Sequence, residues 1–233
     1  MKKYRLLFLL VGAVFVISAC GPKIITKKEA FPGMYARKIN SILVVPPINV
    51  TTAADASEYY SATIAEPASF TGYYIYPIEV VNAVFKKEGM ADSALLLKAP
   101  PKKFREHFGA DAVLFITITK WNTAYFVIGG NVQVGMEYRL VSTETGEVLW
   151  KYNENLVVDT SGGRGGGIAG LVLKIVETAI KTATTDYVPI AHRVNVMALS
   201  TMPYGQYNEA YMKDQDAKVV NEDKIKDQPP KQE

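Results

Sequence analysis

Gly165-Gly166-Gly167-Ile168-Ala169-Gly170 has the spacing G-x-G-x-x-G and stands at the head of an apolar-periodic stretch. Such a loop binds dinucleotides by aiming backbone N–H groups at a pyrophosphate from a helix N-terminus. That chemistry needs a preceding strand in a βαβ unit, and the strand before this loop reads as the end of an antiparallel hairpin. In a stretch as glycine-dense as Gly162-Gly163-Arg164-Gly165 the match follows from composition. A hinge, or a loop that lets the next helix pack closely, is the simpler reading, with Arg164 as a solvated charge or a candidate contact for a partner.

Other reactive constellations lack their parts. The chain has 2 His, His107 and His192, far apart in sequence. His107 sits beside Phe108 in a helical stretch and His192 beside Arg193, so surface or packing roles suit both better than base catalysis. The G-x-S-x-G elbow of a serine hydrolase does not occur. No cysteine–histidine spacing of a zinc site is present. Asp and Glu are scattered, so a carboxylate pair of glycosidase type stays open, and with it a hydrolase of cell-wall or lipid substrates. The reading is a protein without cofactor or metal that is not an enzyme.

The one residue in a chemically demanding context is Cys20, the single cysteine of 233 residues. It follows Lys2, Lys3 and Arg5, an apolar run from Leu6 to Ile17, and then Ser18-Ala19. A positive start, a short apolar core and small residues at the end describe a secretory signal peptide over 1–19. The run is too short to cross a hydrocarbon core of about 30 Å, which takes roughly 20 helical residues. Ile17-Ser18-Ala19-Cys20 resembles the lipobox of bacterial lipoproteins. The resemblance implies a diacylglyceryl thioether on Cys20, cleavage before it and acylation of the new amino terminus. Two or more acyl chains anchor stably, each buried methylene contributing about 0.8 kcal/mol. Gly21, where aspartate would signal inner-membrane retention, favours the outer membrane.

The charge balance changes with that cleavage. The precursor carries 26 basic and 23 acidic side chains. Lys2, Lys3 and Arg5 leave with the signal peptide, so the mature chain is near neutral. No basic excess remains to neutralise phosphates, which argues against nucleic-acid binding. With Cys20 acylated, no disulfide can form, and the fold rests on its core.

The elements that follow are legible in outline. Residues 20–36 read as a lipidated tether and 37–200 as one globular domain. Within it, Lys38 to Pro47 is a β-branched strand stopped by prolines, and a short helix covers Ser57–Ile64. Gly72 to Pro77 is a second strand, followed by a helix from Ile78 to Lys87 with Val81 and Phe85 on its apolar face. Pro100 to Gly109 is a short helix between proline and glycine. Ala110 to Thr119 is the strongest strand. Asn131 to Ser142 alternates, with Val132, Val134, Met136, Tyr138 and Leu140 on one face, and Val148 returns after the turn at 143–147. An amphipathic helix is expected from Ile168 to about Thr184 and another from about Pro189 to Ala198. Residues 201–211 form a tyrosine-containing extension. Polar composition makes 212–233 a disordered tail.

This order predicts an α+β fold: a mixed sheet containing an antiparallel meander, with helices packed on it. Phe108-Gly109-Ala110-Asp111-Ala112-Val113-Leu114 and Tyr138 through Trp150, with its Thr-Gly-Glu turn, resemble a family of bacterial outer-membrane lipoproteins of the neisserial surface-antigen type. The resemblance covers residues 38–200 and the lipobox. It implies a sandwich similar to the amino-terminal domain of the Tol-system periplasmic protein and to the periplasmic domain of the curli secretion lipoprotein, and it carries no activity over.

The 14 tyrosines add one functional hint. Tyr73, Tyr74 and Tyr76 suit strand packing, while Tyr204, Tyr207 and Tyr211 fall at helical spacing and suit an interface, since tyrosine joins an apolar body to a polar tip. The expectation is a lipoprotein of the outer membrane, held through lipid on Cys20 and facing the periplasm. It would bind other envelope proteins in assembly, transport or secretion. An alternative is a homo-oligomeric ring or channel, which needs spanning strands of about 9–11 residues.

Overall fold

The computed structural model describes residues 24–89, 93–126, 129–159 and 187–220. The signal peptide, Cys20, Arg164, the glycine-rich loop and the helix expected from Ile168 lie outside them. The fold is α+β.

Strand β2 (Ser41–Val44) opens the main sheet, and Pro46-Pro47, which cannot donate to a ladder, separates it from the two-residue β3 (Ile48–Asn49). Helix α3 (Ala56–Ser69) runs on past the expected Ser57–Ile64, because Tyr60, Ile64 and Ala68 form a buried stripe one turn apart. The strand expected over 72–77 shrinks to β4 (Tyr74–Ile75), since Pro77 already leads into α4 (Ile78–Lys87). After α5 (Ser93–Leu96) comes α6 (Pro101–Phe108), which ends where Gly109 turns left-handed at φ 72°. Then β5 (Ala112–Phe126), β6 (Gly129–Ser142) and β7 (Val148–Asp159) form the expected antiparallel meander, and α7 (Val188–Ser200) follows.

The sheet order is β4-β2-β5-β6-β7, with β3 also on β5. The pairs β2–β4, β2–β5 and β3–β5 are parallel. Residue alternation in β5 divides the core. Leu114, Ile116 and Ile118 meet α3 and α7, together with Val134, Met136, Tyr138, Leu140 and Trp150. Val113 and Phe115 meet α4, α5 and α6 through Val81, Phe85, Leu96 and Phe104. The second helical layer covers only the start of the meander. Glu137, Arg139, Asn153 and Asn155 beyond it are exposed.

The junction at Gly109-Ala110-Asp111 has a structural reason. The Asp111 carboxylate accepts from the backbone N–H of Asn40 and Ser41 at 3.0 and 3.2 Å and from the Ser41 hydroxyl at 3.2 Å. It thereby fixes the entry of β2 beside β5. On the hairpin side, Thr143 donates its hydroxyl to Ala110 O and Asp111 O.

Two expectations are corrected. Residues 24–36 are not an extended tether: β1 (Ile24–Thr26), α1 (Lys27–Ala30) and α2 (Pro32–Ala36) are formed and bury Lys27, Phe31 and Met34. The chain also stays ordered past Met212, ending in β8 (Lys218–Val220), which pairs antiparallel with β1. Average composition hides this because order here depends on a few buried positions, Asp214 and Val219 on one end and Lys27 on the other.

One polar network is sealed between α3, α7 and the sheet. Tyr60 and Tyr138 each donate a hydroxyl to Asn195 Oδ1 at 2.7 Å, and Asn195 Nδ2 donates to Thr63 Oγ1 at 2.9 Å. All four residues are buried. Asn195→Leu removes the acceptor that two buried phenol groups share, and each group left unsatisfied costs about 1–3 kcal/mol. Urea unfolding should therefore show a loss of about 2–5 kcal/mol, partly recovered when Tyr60→Phe and Tyr138→Phe are added.

Candidate interaction surface

After α7, residues 201–217 run as a series of turns across the ends of α3 and α7. Tyr204, Tyr207 and Tyr211 consequently do not share a helical face, contrary to their spacing. The reason is local: Pro203 and Gly205 interrupt any helical ladder, and the segment is stitched to the loop 70–73 instead. Gly205 N–H donates to Thr71 O at 2.8 Å and Tyr207 N–H to Gly72 O at 3.0 Å. The Asn208 amide donates to Phe70 O at 2.9 Å, and the Tyr73 hydroxyl to Pro203 O at 2.8 Å. The two backbones touch at Gly72 and Gly205. A methyl group on Gly205 would collide with the Gly72 carbonyl, and one on Gly72, at φ +80°, would stand 2.5 Å from Asn208 Cβ.

Beneath these turns lies a buried ion pair joining the two ends of the described chain. Lys27 Nζ donates to Asp214 Oδ2 at 3.2 Å, to Ser200 O at 3.0 Å and to Met202 O at 2.9 Å. It also stands 4.7 Å from the centre of the Tyr204 ring. The ammonium thus supplies, from the start of the chain, the cation and donors that the C-terminus of α7 lacks in its own last turn. Asp214 is saturated in return, accepting from Tyr204 N–H at 3.1 Å and from the Tyr35 hydroxyl at 3.0 Å. Burial pulls the Lys27 ammonium below its ordinary value, and the hydrogen bond and charge of Asp214 work against that pull. Burial first, and then the Asp214 charge, push the Tyr35 hydroxyl upward.

On the outside of this latch the aromatic side chains are open. Tyr207 is 70% exposed and Phe70 66%, and Tyr211 is exposed as well. Pro67, Phe70, Val196, Leu199, Tyr204 and Asn208 line a cleft of about 270 Å³ between α3 and α7. Large aromatics on a rigid support, with amide and hydroxyl groups at the edge, are the make-up of a protein-contact surface. Phe70, Lys27 and Asp214 were not singled out from sequence. Phe70 is an ordinary helix-end residue by composition, and the two charges are separated by almost the whole chain.

The remaining sequence candidates are not gathered into a site. His107 is exposed on α6. His192 Nε2 is 3.1 Å from Glu66 Oε2 on the surface, a pair linking α7 to α3. Among the described residues no group of three or more His, Cys, Asp or Glu could hold a metal ion. None of their helices is long and apolar enough to cross a membrane.

The fold defines the class as α+β domains with helices packed on a mixed sheet. The chain belongs to the family described as "Putative lipoprotein GNA1162-like", which matches residues 32–207. It is 32% identical over 182 residues to a lipoprotein of Neisseria meningitidis serogroup B, covering 77% of this chain and 83% of that one. The crystal structure of lipoprotein GNA1162 from Neisseria meningitidis superposes with a TM-score of 0.51 at 33% identity, over 62% of this chain and 99% of that one. A dodecameric PelC from Paraburkholderia phytofirmans, at 15% identity and a TM-score of 0.44 over 71% of this chain and 90% of that one, is a remoter likeness that says nothing about assembly here.

The latch predicts its own test. Asp214→Asn leaves a buried ammonium without its counter-charge, and such a change costs about 3–5 kcal/mol. Thermal unfolding should record the loss, and limited proteolysis should cut within 203–217 first. Lys27→Met combined with Asp214→Leu should regain much of it, because the desolvation cost disappears with the charges.

Proposed function

We propose that this chain is exported, cleaved before Cys20 and acylated there, and acts without catalysis as a protein-binding component of envelope assembly, transport or secretion. On this reading it sits at the outer membrane, on the periplasmic side, as Gly21 after the cysteine favours. Membership of a lipoprotein family supports the anchor. The observation that carries the binding role is the aromatic surface of Phe70, Tyr204 and Tyr207 on the latched turns. Exposed tyrosine and phenylalanine on a preorganised backbone lose little conformational entropy when covered, which is how a small surface gains affinity. A flexible loop carrying the same residues would forfeit that gain.

The test is site-specific photocrosslinking in intact cells, with a benzophenone amino acid at Tyr207 and, as control, at Glu144 in the exposed hairpin turn. One discrete adduct from position 207 and none from 144 is the expected result, and mass spectrometry of it would name the partner. Adducts only between copies of the chain would replace the partner with a homo-oligomer. Absence of any adduct at 207, with the protein folded and membrane-bound, would remove the basis for the reading. Tyr207→Ala should abolish the contact while leaving the melting temperature unchanged within about 2 °C, because an exposed side chain contributes within about 0.5 kcal/mol.

A further inference from the structure

The structure points to a defined membrane-facing edge: we infer that the outer face of the β1–β8 ribbon lies on the headgroup region of the anchoring bilayer, in a fixed orientation. The inference rests on acylation at Cys20 and goes beyond it, since an anchor alone does not orient a domain.

Only Gly21, Pro22 and Lys23 separate Cys20 from Ile24, the first residue of β1. Four Cα–Cα steps reach at most about 14 Å when fully extended. A folded domain of this size has a radius of gyration of about 15 Å. Whatever its conformation, a three-residue link is too short to let the domain turn its far side to the membrane. Had residues 24–36 been an open tether, as composition suggests, the reach would have been several times greater and no orientation would follow.

The register adds the second argument. Ile24 faces Val220, Ile25 faces Val219, and Thr26 faces Lys218. Alternation turns Val219 inward, where it is buried, and puts Ile24, Val220 and Lys218 together on the outer face. Ile24 is 63% exposed and Val220 39%. This pairing places two exposed β-branched apolar side chains at the end of the ribbon next to the acylated residue, with a lysine one step behind. Apolar tips backed by a long cation suit the boundary between acyl chains and headgroups. The ribbon is seated on the body of the domain through Val219, which joins the core, and Ile25, which packs against it. Val220 also touches a cleft of about 370 Å³ that it shares with Ile25, Phe31, Arg139, Val148 and Trp150, so its exposure on the outer face is partial and Ile24 is the more open of the pair. Because Lys27 and Asp214 latch both strands to the end of α7, the orientation of the ribbon is the orientation of the domain.

The test uses the absence of any cysteine other than Cys20. Membrane-extracted, lipidated protein carrying Lys218→Cys is labelled with a fluorophore and reconstituted in vesicles of phosphatidylethanolamine and phosphatidylglycerol containing a headgroup-quencher lipid. A second sample carries the label at Asn122→Cys on β5. Asn122 pairs with Gln133, six residues along β6 from Arg139 in the ribbon-side cleft, or about 20 Å away. Flotation is measured first. Protein that floats, with the label at 218 losing most of its fluorescence and the label at 122 keeping most of its own, is the expected result. Protein that floats with a bright label at 218 overturns the inference and leaves acylation standing. Equal quenching at both positions overturns the fixed orientation. Protein that does not float removes the anchor at Cys20 itself, and the inference falls with it.

Discussion

The Lys27 ammonium sits where Ser200 O, Met202 O and the Asp214 carboxylate converge, under the face of Tyr204. Taking both charges out of water is expensive, and the contact is tolerated because every donor and acceptor around it is satisfied. What it does for the molecule is topological. It fastens the first described residues to the last turn of α7 and to the segment leading into β8. The turns bearing Tyr204 and Tyr207 are trapped between these fastenings and the loop at 70–73. The ion pair thus adds a buried charged fastening to the Tyr73–Pro203 and Asn208–Phe70 hydrogen bonds that hold the aromatic turns and to the buried Val219 that holds the ribbon.

The sheet supplies the rigid body to which this latch is tied. In its parallel half, β2 and the start of β5 are covered on both faces and read as continuous apolar strand, as doubly buried strands must, while β4 lies at the open edge with Tyr74 exposed. Its antiparallel half, β6 and β7, is covered on one face and alternates. The change occurs along β5 itself, where Val113 and Phe115 lie under the second helical layer and Thr117 and Thr119 come out from beneath it. On the covered face, Asn195 holds Tyr60, Thr63 and Tyr138 together. This sets the position of α7 relative to α3. That relation defines the cleft beneath Phe70.

Much of this was legible in the residues. The alternation of Val132, Val134, Met136, Tyr138 and Leu140 marks one buried face, and all five are buried. Pro101 and Gly109 bracket α6, Ile78 to Lys87 is α4, and the Thr-Gly-Glu turn closes the β6–β7 hairpin. These are local signals, in which period, cap and turn chemistry act over a few residues. The candidate surface was only half legible. Tyr207 could be picked out as an exposed aromatic in a polar stretch, but the helical spacing of the three tyrosines gave the wrong geometry. Phe70 carried no signal, because its exposure depends on where the chain stops above it. Composition misjudged both ends, since it averages over positions whereas order depends on the single residues that are buried.

The sequence by itself determined the targeting chemistry at Cys20 as an expectation, the α+β class, the meander, and the neutrality of the mature chain. All of these follow from residue types read in order along short stretches. Only the tertiary structure decided that Lys27 meets Asp214, that Gly72 packs on Gly205, and that β1 and β8 close into a ribbon. Such contacts join positions far apart in the chain, and no local propensity encodes them. They form because the folded core has already brought the chain ends together, so that little loop entropy remains to be lost when the latch closes.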